Sequence, residues 1–212
     1  MIRVLLADDH AAVRAGMRLM LEAAADIEIV GEAADGAVAV RQASALRPDV
    51  VLMDIRMPGT DGIHATREIT AAGHADVLVL TTFDLDDYLF GALRAGAAGF
   101  LLKSVEPATL IDAVRRVAAG DGILAPEVTR RLLSAFAGTP APNAAPAAVD
   151  HLTGRERDVL AALGRGLSNA DLAAELAITE ATAKTHVSRV LAKLGCTSRV
   201  QAAILAKEAG IA

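Results

Sequence analysis

The 212-residue chain reads as an α/β doubly wound five-stranded parallel sheet, joined through a linker to a small all-α domain. Three observations predict this. Over the first 125 residues, short apolar runs alternate with stretches of helical periodicity. A proline- and alanine-rich segment without charge then interrupts the pattern. Beyond it, only helical spacing with capping signals remains.

The strand candidates are Ile2–Ala7, Ile27–Ala33, Val50–Asp54, Val77–Thr82 and Gly99–Leu102. The first and fourth are near-continuous apolar runs, as strands covered on both faces should be. Helix candidates fall between and after them, near residues 11–24, 36–46, 62–72, 86–97 and 107–119. In the first, Val13, Met17, Met20, Leu21 and Ala24 recur at helical spacing. The last opens at Pro107, suited to a first helical turn, and stops at Gly120.

Residues 137–149 read AGTPAPNAAPAAV, with three of the chain's seven prolines and no charge. Each Pro removes a backbone donor and turns the preceding residue from helical geometry, so this is a semi-extended linker. The expected boundaries are a first domain over 1–121, a connecting helix and linker over 122–149, and a second domain over 150–212. That second part opens with Thr153-Gly-Arg-Glu156, a capping box in which each side chain satisfies a backbone amide at the other's end. Ser168-Asn-Ala-Asp171 repeats the device for a helix to about Leu176. Thr179 caps a third helix that stops at Gly195, and a fourth spans roughly Arg199–Ala209. On the third helix, Ala183, Val187, Val190, Leu191 and Leu194 form the buried side.

Charge separates the two parts. Residues 1–125 hold 11 Lys+Arg and 18 Asp+Glu, whereas residues 126–212 hold 10 and 8. An acidic first part and a mildly basic second part imply different partners. No apolar run approaches the roughly 18 residues that span a bilayer, and no leader-like segment opens the chain. The lone cysteine, Cys196, can form neither an internal disulfide nor a cysteine metal cluster, so a cytoplasmic location is expected. With no Trp, one Tyr and four Phe, a base-stacking platform is disfavoured.

A doubly wound sheet places its site beyond the carboxyl ends of its strands. Here those ends carry Asp8-Asp9, Asp54, Thr81-Thr82 and, just past the fifth strand, Lys103. Clustered carboxylates repel one another, and a hard divalent cation such as Mg²⁺ relieves that. A carboxylate beside the cation can attack a phosphoryl group, while an ammonium and a hydroxyl bind its oxygens. Strand capping is the bland alternative for any one of these residues. Five suitable groups at four strand ends favour a site. His10 flanks it at the start of the first helix, where a ligand or proton-transfer role is conceivable. His64, His74 and His151 lack partners at ligand spacing.

The motifs LLADDH, VLMDIRMPGTDG, VLVLTTFD and GFLLK resemble, in order and in spacing, the receiver domain of two-component response regulators. Asp54 to Thr81 is 27 residues and Thr81 to Lys103 is 22. The resemblance implies that Asp54 is the phospho-acceptor. It implies further that Asp9 and the Arg56 backbone carbonyl join Asp54 in holding Mg²⁺, and that Asp8 acts through metal-bound water. Thr81 is then the switch hydroxyl, with Thr82 as its alternative, and Lys103 binds the phosphoryl group. Phe100 matches the switch aromatic, although a plain core role fits it equally. Pro58 and Gly59 suit the turn after the third strand. Ser104 departs from the pattern, since many receivers carry Pro there; a cis Lys103–Ser104 bond would cost about 3 kcal/mol without Pro.

From Leu152 to Ala203 the chain resembles the LuxR-type helix-turn-helix. The two resemblances together imply a NarL/FixJ-type response regulator, a receiver sheet linked to a small all-α helix-turn-helix domain. Residues 179–194 become the recognition helix, with Lys184, Thr185, Ser188, Arg189 and Lys193 facing double-stranded DNA. The implied partners are a sensor histidine kinase, promoter DNA and, after phosphorylation, a second copy of the chain; no membrane is implied. Ala183 stands where the family often has Val. Rival readings fit less well. A haloacid-dehalogenase phosphatase wants a second Asp two residues after its nucleophile, where this chain has Arg56. A flavodoxin-like carrier lacks its flanking aromatics, and a quorum-sensing LuxR protein would not carry these acidic strand ends. A phosphorylation-independent DNA binder with a vestigial receiver is opposed by the complete acidic set.

Overall fold

A computed structural model of the chain describes residues 1–81, 86–124, 149 and 151–211. The chain divides into two compact units, one built on residues 1–119 and one holding residues 151–211. Thr82 and almost all of the linker over 137–149 lie outside the described residues.

The first unit is a parallel sheet of order β2-β1-β3-β4-β5-β6. Its strands are β1 Ile2–Ala7, β2 Ile27–Ala33, β3 Val50–Asp54, β4 Asp76–Thr81, β5 Gly99–Leu102 and β6 Ile123–Leu124. The five expected strands are present, and the fourth begins one residue earlier than expected. The two-residue β6 adds an edge beyond β5, pairing Gly99 with Ile123. So short a segment carries no periodicity by which sequence could reveal it.

Helices α1 Ala11–Glu22, α2 Gly36–Leu46, α3 Gly62–Ala71, α4 Asp86–Arg94 and α5 Pro107–Ala118 follow the strands in alternation. Pro107 sits in the first turn of α5. Burial follows the expected pattern: every residue of β3 is buried, and Val4, Leu5, Leu6 and Phe100 are wholly inaccessible.

Strand order reverses beside β1, so the loops after β1 and β3 diverge and open a crevice between them. Register then fixes which residues stand at its rim. Ala7 pairs with Met53, Asp54 with Leu80, and Thr81 with Leu102. Asp8, Asp54, Thr81 and Lys103 therefore emerge at nearly one level of the sheet.

The second unit is a helical cluster of α6 Gly154–Gly164, α7 Asn169–Leu176, α8 Glu180–Leu194 and α9 Arg199–Glu208. Thr153 and Glu156 form the expected capping box of α6, and Ser168 and Asp171 that of α7. Thr179 caps α8, and Gly195 ends it in the left-handed conformation at φ 66°. Ala183, Val187 and Val190 enter a core with Val159, Leu160 and Leu163, and Leu191 and Leu194 pack against it.

Candidate functional site: an acidic crevice and an exposed helix face

Asp8 is fully buried, and its backbone and carboxylate meet partners from β2, the start of α1 and the end of β5. Its amide donates to the Ala33 carbonyl at 3.1 Å, and Oδ1 accepts from the His10 amide at 2.9 Å. Its Oδ2 lies 2.7 Å from Nζ of Lys103. The same ammonium lies 2.9 Å from Oδ2 of Asp54, which is itself buried. One cation thus bridges two carboxylates delivered by different strands.

Burial pushes the Asp54 carboxyl above its ordinary range, with the nearby Asp8 charge adding to the rise; the Lys103 hydrogen bond opposes both. Burial alone would lower the Lys103 ammonium, but hydrogen bonds to Asp8 and Asp54 outweigh it and hold the group above its ordinary value. Lys103 is held in reach by its amide, which donates to the Thr81 carbonyl at 2.8 Å. The Lys103–Ser104 bond is trans.

Asp9 is half-buried, and its Oδ1 meets Nδ1 of His10 at 2.6 Å. His10 caps α1 through its backbone while its ring stays exposed. Ligand atoms of Asp8, Asp9 and His10 lie within 4.8 Å of one another. His10 therefore belongs to the acidic group as well as flanking it. Thr81 is buried at the end of β4, Phe100 is fully buried in register with Val79, and Arg56 is exposed two residues beyond Asp54.

The donor set suits a hard cation. Three carboxylates less one ammonium leave a formal charge of −2, which one divalent ion balances. With carboxylate oxygens predominating, these residues fit a hard cation such as Mg²⁺.

Two residues that shape this crevice escape a reading for chemistry. Gly62 opens α3 directly over the end of β3. A Cβ there would stand 1.9 Å from the Asp54 carbonyl oxygen, so only glycine allows the approach. Its position before a helix looks like ordinary punctuation in sequence. Arg14 lies on the polar side of α1 and donates from Nη1 to the Asp8 carbonyl at 2.7 Å. By contrast Gly59, expected in the turn, does adopt φ 75°.

In the second unit Lys184, Thr185, Ser188, Arg189 and Lys193 are all exposed on α8. The Thr185 and Ser188 hydroxyls donate back to the carbonyls of Ala181 and Lys184 at 3.0 Å, which leaves their oxygens able to accept. Lys193 forms an ion pair with Glu156.

Residues 4–115 match the family model of the response regulator receiver domain, and residues 150–206 that of the bacterial regulatory proteins of the luxR family. The chain belongs to the LuxR-type response regulators. Relatives agree along nearly its whole length. Transcriptional regulatory protein LiaR of Bacillus subtilis (strain 168) is 42% identical over 207 residues, covering 97% of each chain. The nitrate/nitrite response regulator NarL of Escherichia coli (strain K12) is 37% identical over 204 residues, covering 95% of this chain and 93% of NarL. The crystal structure of response regulator ChrA, from a heme-sensing two-component system, is 41% identical with a TM-score of 0.56 and covers 100% of this chain and 98% of that one. This response regulator is thus a transcriptional regulator with a receiver and a LuxR-type DNA-binding domain. Among its described residues no helix is long and apolar enough to cross a membrane.

Proposed function

We propose that this response regulator is switched by phosphorylation of Asp54. The observation that carries the reading is the Lys103 ammonium between the Asp8 and Asp54 carboxylates, at 2.7 and 2.9 Å. The phosphoryl donor is a phosphohistidine of a sensor histidine kinase. An ionised Asp54 oxygen attacks phosphorus, the P–N bond breaks, and the leaving imidazole keeps the electron pair and takes a proton. Asp54, Asp9 and the Arg56 carbonyl would hold Mg²⁺, with Asp8 supporting the site, and the ion would supply charge neutralisation for the transferring phosphoryl oxygens. Lys103 exchanges its contact with Asp54 for a phosphoryl oxygen, and Thr81 donates to another. Buried beside Thr81's strand, Phe100 carries that shift toward the receiver surface.

The output is DNA binding as a dimer. One small module covers little DNA, whereas two held together read two half-sites with a large gain in effective concentration. Lys184 contacts bases or adjacent phosphate, Thr185 and Ser188 supply short polar contacts, and Arg189 and Lys193 face the backbone. Allosteric couplings are typically about 1–3 kcal/mol, so operator affinity rises roughly 5–150-fold on phosphorylation.

The test is phosphotransfer, sedimentation and operator binding on one preparation. Wild type should take phosphate only with Mg²⁺, shift from monomer to dimer, and bind DNA more tightly; Asp54→Asn should do none of these. Undiminished phosphotransfer in Asp54→Asn would reject the acceptor. Equal operator affinity with and without phosphate would support a vestigial receiver.

A further inference from the structure

The acidic pair Asp8-Asp9 sits on one peptide group, so the angle between the two carboxylates depends on how that peptide plane is held. Its carbonyl accepts a hydrogen bond from Nη1 of Arg14 at 2.7 Å. On the other side, the Asp8 amide is tied to Ala33 at 3.1 Å. Both ends of Asp8's backbone are therefore fixed, one by β2 and one by a side chain of α1.

A guanidinium beside a cation site would ordinarily repel the cation. Here its charge is cancelled locally. Arg14 Nε donates to Glu32 Oε2 at 3.0 Å, and the other Glu32 oxygen accepts from Nε and Nη2 of Arg18 at 2.9 and 2.7 Å. Arg18 reaches Glu22 in turn at 3.2 Å. The four residues form an alternating chain of charges with no net sum. Arg14 is mostly buried, with 15% of its side chain exposed, so its pairing with Glu32 is poorly screened. Hydrogen bonds from Arg18 and then Arg14 hold Glu32 below its ordinary range, as expected of a carboxylate shared by two guanidinium groups.

Resting on the reading of the acidic crevice as a Mg²⁺ site, we infer that Arg14 is a positioning residue for that site and Glu32 its neutralising partner. Arg14 sets the plane of the Asp8–Asp9 peptide and hence the presentation of both carboxylates. Glu32 lets it do so without lowering cation affinity. Arginine suits the task because its planar fork can hold a carbonyl and a carboxylate together, whereas lysine offers a point charge.

The experiment is calorimetric titration of the full-length protein with Mg²⁺ alone, at low and high ionic strength, with a thermal melt of each variant. Arg14→Met keeps the apolar stem and removes the donors; partners that orient ligands are typically worth about 10–100-fold in metal affinity, and a loss of about tenfold is expected at both salt concentrations. Arg14→Lys should recover part of that loss. Glu32→Gln keeps an acceptor but leaves the Arg14 charge uncancelled, so Mg²⁺ binding should weaken at low salt and the deficit should shrink as salt is raised. A role in folding alone would lower the melt of each variant without this difference in salt response. Should Arg14→Met fail to fold, Arg14→Lys and Glu32→Gln carry the comparison. Wild-type Mg²⁺ affinity in these folded variants overturns the inference by itself. A wild type that binds no Mg²⁺ overturns the reading of the crevice and the inference with it.

Discussion

Lys193 Nζ lies 2.7 Å from Oε1 and 2.8 Å from Oε2 of Glu156, tying the last turn of α8 to the first turn of α6. Glu156 also accepts from the amide and the hydroxyl of Thr153, at 2.8 and 2.9 Å. A helix cap and a cross-helix ion pair thus share one carboxylate. The basic side chain nearest the end of α8 is already engaged within its own domain.

Lys184 and Lys193 should therefore behave differently on mutation. Lys184→Ala should weaken operator binding and reduce the salt slope by about one. Lys193→Ala should lower the melting temperature of the DNA-binding domain and reduce the slope by less. Titrating both variants at several salt concentrations, beside thermal melts, separates the roles. Equal slopes and equal melts would contradict the distinction.

Glu156 makes the stability of this domain depend on acid. The Lys193 hydrogen bond, followed by those from Thr153, lowers its carboxyl from the ordinary 4.5 to about 2. A carboxyl held low in the folded state contributes stability that is fully present above its unfolded value and is lost as pH falls through the folded one. Wild type should therefore lose stability between pH 4.5 and about 2, and Glu156→Gln should show a flatter profile there. Melts of residues 150–212 across that range would reveal it.

Two glycines predict opposite signs. A Cβ at Gly62 would clash with the Asp54 carbonyl at 1.9 Å, so Gly62→Ala must shift the end of β3 or the start of α3. The cost should be about 1–3 kcal/mol, with a fall in phosphotransfer because Asp54 moves. At Gly16, inside α1, a Cβ meets nothing within 4 Å, and Gly16→Ala should stabilise by roughly 0.5–1 kcal/mol. Denaturant unfolding of both variants gives the comparison.

Replacing Lys103 should separate cation binding from signalling. Lys103→Met removes the ammonium that bridges Asp8 and Asp54, leaving their carboxylates to repel one another. Mg²⁺ should then bind more tightly, and the Asp54 carboxyl, already raised by burial, should rise further. Phosphorylation should no longer tighten operator binding, for want of the ammonium that draws the phosphoryl group inward. Tighter operator binding by phosphorylated Lys103→Met would refute that role.

Much of this molecule was legible in the order of its residues. Apolar runs marked β1 and β4, and alternation marked the doubly wound class, because a strand covered on both faces has nowhere to put polar side chains. Capping boxes at Thr153 and Ser168 marked helix starts, because a cap is chemistry confined to four consecutive residues. The acidic strand ends were legible for a related reason: once the strands are known, the carboxyl edge collects whatever follows each of them. The parts that sequence left open involve residues far apart along the chain. Arg14 reaching Asp8 and Glu32, Lys103 bridging Asp8 and Asp54, and Lys193 reaching Glu156 are separations of 6 to 95 positions that no local pattern constrains. Gly62 looked like a helix start until the Asp54 carbonyl came within 1.9 Å of where its Cβ would be. Strand and helix identities follow from short-range sterics and periodic burial, whereas these pairings required the packed sheet to bring the groups within hydrogen-bond distance, where direction and separation decide whether they act.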